Sequence, residues 1–74
     1  MKLVVDRDAL SRQIAEVERE IALRRAVYPR LIAQGMLRRP SAWAQLGDLR
    51  AAARTLKWLR RNARRISRGQ GGGA

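Results

Sequence analysis

Residues 27 to 41 read VYPRLIAQGMLRRPS, and no other stretch restricts the fold of this chain as strongly. One long amphipathic pattern runs into it and a second runs out. Pro29 lacks a backbone donor and crowds the carbonyl of Arg25, so the first pattern should kink there, or break and restart. Gly35 takes the left-handed conformation without a Cβ penalty and is the expected C′ residue of the first helix. Pro40 and Ser41 open the second helix, with either Arg39 or Ser41 as its cap. Helices joined by so short a turn lie back to back. The expectation is an all-α, two-helix antiparallel hairpin, with helices over about 7–33 and 40–66. Residues 1–66 form one domain in this reading, and 67–74, SRGQGGGA, form a disordered glycine-rich tail.

The first helix has a clear start. Asp6 is the candidate N-cap, Val5 and Leu10 stand at the positions of a hydrophobic staple, and Asp8 suits the positive end of the helix dipole. Leu10, Ile14, Val17 and Ile21 recur in alternating steps of four and three, a heptad-like seam that continues through Tyr28, Leu31 and Ile32. Asp8–Arg12 and Glu20–Arg24 are favourable pairs one turn apart. Reading Lys2 to Val5 as an edge strand leaves it no partner strand.

The second helix carries two faces. Its apolar stripe comprises Leu46, Leu49, Ala52, Ala53, Leu56, Leu59, Ala63 and Ile66. At 100° per residue, Arg50, Arg54, Lys57, Arg61, Arg64, Arg65 and Arg68 project into a single sector, and Trp43 and Trp58 fall in or beside it. Like charges one turn apart weaken a helix, so a basic ridge of this length suggests a use beyond solubility. Gly47 weakens the helix too; it either permits tight packing or marks a local break.

Charge supports that reading. Lys and Arg number 17 against 6 Asp and Glu, a net charge of +11. Residues 1–37 hold seven basic and five acidic groups, whereas residues 38–74 hold ten basic groups against Asp48 alone. A half so lopsided calls for a polyanionic partner: nucleic acid, an anionic membrane or an acidic protein surface. Indoles stacking on bases with guanidinium groups on phosphates would suit single strands, and phosphate contacts alone would suit duplex. Trp and Arg are equally the usual anchors of a protein interface. In the bland alternative, Trp43 caps the hairpin core and Trp58 packs on a neighbouring subunit.

Chemistry is poorly provided for. The chain has no cysteine and no histidine, so disulfides, thiolate metal sites, haem ligation and Ser-His or Cys-His catalysis are not expected. Glu16, Glu18 and Glu20 read as solvated helix charges, since catalytic carboxylate pairs usually face each other across a cleft. Ser11, Ser41, Thr55 and Ser67 lack an activating base. RGQGGG follows a helix instead of preceding one and lacks the GK[ST] of a phosphate loop. A helix-turn-helix centred on Gly35 would place Pro40 inside its recognition helix. No enzyme activity, cofactor or metal is expected. No apolar run is long enough to cross a membrane, and MKLVVDRD reaches acidic residues too soon for a signal peptide.

A hairpin of this length buries one stripe per helix, which rarely stabilises a small chain. Two copies packed through Leu10, Ile14, Val17, Ile21, Tyr28, Leu46, Leu49, Leu56, Leu59 and Ile66 would make a four-helix bundle, so a homodimer is expected.

The segment Glu20-Ile21-Ala22-Leu23-Arg24-Arg25-Ala26-Val27-Tyr28-Pro29-Arg30, followed by Gly35-Met36, resembles a group of small helical phage and prophage proteins. Their pattern runs E-I-x-M-R-R-x-V-Y-P-x-W-(V/I)-x-x-G-(R/K)-(M/L), with a helix after it. The likeness spans about a quarter of the chain. The group usually carries an aromatic residue where this chain has Leu31, and opens its next helix with Thr and acidic residues where this chain has Arg38-Arg39-Pro40-Ser41. The resemblance implies a mobile-element origin and a two-helix fold, and it carries no activity; the cytoplasm of a bacterial host is the expected location. Small proteins of this kind often act by binding, either to nucleic acid or to a host protein complex, such as a defence system, that they block. A structural subunit of the phage particle is a further alternative.

Overall fold

The computed structural model describes residues 5–72, with side chains described through Ser67. Three helices follow one another: α1 (Arg7–Ala33), α2 (Arg39–Arg61) and α3 (Ala63–Gly72). The first two lie antiparallel against each other and form the hairpin expected from the turn residues.

Both ends of α1 are chemically closed. Asp6 Oδ1 accepts the backbone N–H groups of Asp8 (3.0 Å) and Ala9 (3.1 Å), satisfying donors that have no partner inside the helix. At the other end Gly35 adopts φ 74°, the Met36 N–H reaches the Leu31 carbonyl (2.9 Å), and the Gly35 N–H reaches the Ile32 carbonyl (3.0 Å). These two bonds are the Schellman pattern, which requires a left-handed C′ residue. Of the outcomes weighed at Pro29, break and restart does not occur: α1 is continuous through it.

Helix α2 departs from expectation at both ends. Its cap is Arg38, not Arg39 or Ser41, and no side chain bonds its first N–H groups. Arg39 is already helical, with Pro40 next to it in the first turn, where a missing N–H costs nothing. The far end comes at Arg61 rather than at residue 66. Asn62 leaves the helix (φ −105°, ψ 8°), and its Nδ2 donates to the Trp58 carbonyl at 2.8 Å. The same carbonyl also accepts the Asn62 backbone N–H (3.0 Å), so the side chain adds a second bond to the last turn of α2. The Asn62 carbonyl then accepts Ile66 N–H (2.9 Å) and starts α3. The backbone beyond residue 66 stays helical as far as Gly72, where an irregular tail was expected. Residues 1–4, 73 and 74 lie outside the described residues.

The seam between α1 and α2 is thin. Its buried residues are Leu10, Ile14 and Tyr28 from α1 with Ala42, Leu46 and Ala53 from α2, and Ala63 closes it from α3. On α2 these positions and their half-buried neighbours Leu49 and Leu56 repeat in steps of four and three. The expected stripe was therefore rotated slightly from the real one. Ala42 belongs to the core and Ala52 is exposed, while Leu49, Leu56, Leu59, Ile66, Val17 and Ile21 are only half-buried. Small side chains at Ala42, Ala53 and Ala63 admit close helix approach but contribute little apolar area each. Tyr28, Ala42 and Leu46 form one cluster near the turn, flanked by Ile21, Leu31, Ile32 and Leu37.

The result is a rod of 57 × 20 × 19 Å with a radius of gyration of 17.0 Å, against roughly 11 Å for a compact chain of this length. Its accessible surface is 5881 Å², about 1,300 Å² above what a folded monomer of this mass ordinarily exposes.

Candidate functional site

Two adjacent arginines on α1 meet different fates. Arg24 is fully engaged. Its Nε donates to Glu20 Oε1 (2.7 Å), and its NH1 donates to Tyr28 Oη and to Gln45 Oε1, both at 3.2 Å. The Glu20 bond first, then the Tyr28 bond, holds the Arg24 pKa above its ordinary value. Tyr28 Oη donates in turn to Gln45 Oε1 at 2.8 Å, so this network ties α1 to α2 along one side of the hairpin. Arg25 points to the opposite side. Among the described residues no salt bridge or side-chain hydrogen bond involves it.

On that opposite side two grooves run end to end between the helices. The one nearer the turn is a slot of about 270 Å³. It is lined by the buried Tyr28, Ala42 and Leu46, which form its floor, by the half-buried Ile32, and by the exposed Pro29, Trp43, Arg25 and Arg50 toward its mouth. The second groove is lined by Glu18, Ile21, Ala22, Arg25, Arg50, Ala53, Arg54 and Lys57. Arg25 and Arg50 border both. Arg25, Arg50 and Arg54 are exposed. Lys57 is half-buried, and its Nζ lies 3.4 Å from Glu18 Oε1, so its charge is partly matched within the chain.

The sequence-expected residues distribute around this pair of grooves. Trp43 lines the slot and remains 67% exposed. Arg50, Arg54 and Lys57 line the second groove. Arg61 is exposed and, by its spacing from Arg54 and Lys57, extends their row. Trp58 is exposed at 48% but borders neither groove; its place in the helix turns it farther from α1. Arg64 and Arg65 sit beyond the interruption on α3, and Arg65 donates to Asn62 Oδ1 at 2.6 Å. The Arg68 side chain lies outside the described residues. Arg25 is the residue the sequence reading missed. Its signal was present in the spacing Glu18, Ala22, Arg25, Pro29, a row that flanks the α1 seam.

The start of α2 adds positive potential. Arg38 occupies its cap, Arg39 follows, and no acidic residue lies in the first turn, although the helix dipole favours negative charge there. Gly47 has neither of the roles weighed for it. The helix runs through it unbroken, and a Cβ added there would meet nothing within 4 Å. It therefore costs the helix about 1 kcal/mol relative to alanine with no return inside the hairpin.

Among the described residues no group of three or more His, Asp or Glu side chains could hold a metal ion, and no helix is long and apolar enough to cross a membrane. The chain matches no protein-family model, no curated protein and no solved structure.

Proposed function

We propose that this chain is a non-enzymatic nucleic-acid-binding protein that engages its ligand along the flank carrying Arg25, Arg50, Arg54 and Arg61. The carrying observation is the convergence of three exposed guanidinium groups, from both helices, on two adjoining grooves, one of which an exposed indole also borders; among the described residues none of the three has a salt bridge or side-chain hydrogen bond. Unpaired cations held in a row favour a partner with regularly spaced negative charge. The resemblance over Glu20–Arg30 supports placing the chain among phage or prophage accessory proteins acting in the host cytoplasm. The test is a titration of labelled single- and double-stranded DNA and RNA at several salt concentrations. For four phosphate contacts on a single strand, log K should fall with log salt at a slope of about −3. Absence of binding at about 50 mM salt and micromolar protein overturns the proposal.

The exposed Trp43 and Trp58 favour a second reading, docking on an acidic host protein surface, because Trp and Arg are the usual interface anchors. A stoichiometric complex recovered from host lysate after nuclease treatment would select it over nucleic acid.

The same proposal includes a homodimer. By helix geometry Leu49, Ala52, Leu56 and Leu59 occupy the flank of α2 turned away from the arginines. The excess surface of the rod is larger than the roughly 800 Å² that each partner gives up in an ordinary stable interface. A second copy packed on the Leu49–Leu59 flank would leave both basic flanks in water. Sedimentation at micromolar concentration should return the mass of two chains; a folded, sharply melting monomer refutes this.

A further inference from the structure

We propose that the slot between Pro29 and Trp43 receives one unstacked nucleobase, so that the basic flank selects single strands over duplex. This rests on the nucleic-acid reading above and adds the form of the ligand.

The slot combines two features. Its floor and walls are apolar (Tyr28, Pro29, Ile32, Ala42, Trp43 and Leu46), whereas its mouth holds two cations with no acidic residue among the lining side chains. Its complement is a weakly polar group with a negative charge attached a short distance away. A nucleotide in a single strand has that form: a base with a π-face and a phosphate at each side. In duplex the bases are stacked and paired, so none can enter such a slot. An exposed tryptophan is a platform on which any base stacks, which predicts little sequence preference.

Gly47 is the independent observation. It stands one turn after Trp43 and before Arg50 and Arg54 on the same side of α2. Nothing in the hairpin requires a glycine at this point: its φ is not positive, and the space beside it is open. A bare stretch of helix between the indole and the arginines lets a sugar-phosphate chain pass close to the backbone on its way out of the slot. The weakness that Gly47 imposes on α2 then has a cause in the bound state.

The experiment compares three fluorescent probes of equal length: single-stranded DNA, the same strand with abasic sites throughout, and duplex. Each is titrated against the intact chain, Trp43→Ala, Trp43→Phe and Gly47→Met. The intact chain should prefer the base-bearing single strand by 10-fold or more. Trp43→Ala should lower that affinity about 10- to 100-fold, with duplex binding unchanged and Trp43→Phe restoring most of the loss. Trp43 is largely exposed, so circular dichroism should show the fold intact in each variant. Gly47→Met should raise the melting temperature and still weaken single-strand binding, a combination that a purely structural glycine does not produce. Equal binding of base-bearing and abasic strands, or a Trp43→Ala variant indistinguishable from the parent, overturns the slot proposal and leaves the basic-flank reading standing. Failure to bind any probe, together with no binding of RNA in the titration above, overturns both. Protection of Trp43 only by an acidic protein partner also overturns it, in favour of the docking alternative.

Discussion

Helices α1 and α2 pack against each other but are built on opposite plans. α1 is stabilised by its own sequence: Asp6 caps its start, Asp8 suits the dipole, Glu16–Arg19 (2.9 Å) and Glu20–Arg24 (2.7 Å) pair along its length, and Gly35 closes its end. Of the two pairs expected from spacing, only Glu20–Arg24 is among the salt bridges of the described residues; Asp8–Arg12 is not. α2 lacks nearly all such support. Its cap is an arginine, its first turn has no acid, its interior holds Gly47, and Arg50 and Arg54 repel each other one turn apart. Exposed ion pairs are worth little individually, so the caps and the glycine weigh most in this contrast. A helix whose surface is chosen against its own stability depends on its partner helix to stay folded. That surface is thereby free to serve a ligand.

The largest expected effect tests that dependence. Tyr28→Ala removes the main α1 contribution to the cluster with Ala42 and Leu46 and the hydroxyl that bonds Gln45, a loss of about 3–5 kcal/mol. Both tryptophans lie on α2, so their fluorescence follows that helix while far-ultraviolet circular dichroism follows the whole chain. In urea both signals should shift to lower midpoints together, because most helical stability in a folded chain comes from packing of the apolar face against a partner. Helicity that outlasts the tryptophan transition would show that α1 stands without α2, and would turn the contrast into independence.

A smaller effect comes from exchanging the two caps. Asp6→Ala should cost about 1 kcal/mol, and Arg38→Asp should gain about 0.5–1 kcal/mol, since Arg38 already has the extended backbone (φ −85°, ψ 142°) that a capping residue uses. Thermal melts of the two variants should therefore move in opposite directions. An Arg38→Asp variant no more stable than the parent would mean that the α2 start is satisfied in some other way, and the contrast would narrow to Gly47 and the like charges.

Much of the fold was legible in the sequence because its signals are local. Asp6, Gly35 and Pro40 act within one turn of themselves, so the limits of α1 and the position of the hairpin turn followed from them directly. The interruption at Asn62 was not legible. An asparagine in a helix either points to solvent or captures a carbonyl, and composition does not distinguish the two. Among the site residues, the row Arg50, Arg54, Lys57 and Arg61 could be drawn from spacing alone. That Arg25 joins it, that Glu18 partly claims Lys57, and that Trp43 rather than Trp58 borders a slot are relations between two helices.

The sequence by itself determined that there are two long helices, where the chain reverses, and that positive charge gathers on the second. Those properties arise from backbone preferences and from a periodicity each segment carries alone. Only the tertiary structure decided how each helix is rotated about its axis. An apolar stripe of leucine and alanine wider than 100° is compatible with several rotations, and the choice falls to whichever packs best against the partner. Here that choice buries Ala42 instead of Ala52, and in doing so brings Arg25 and Trp43 to the same side of the hairpin.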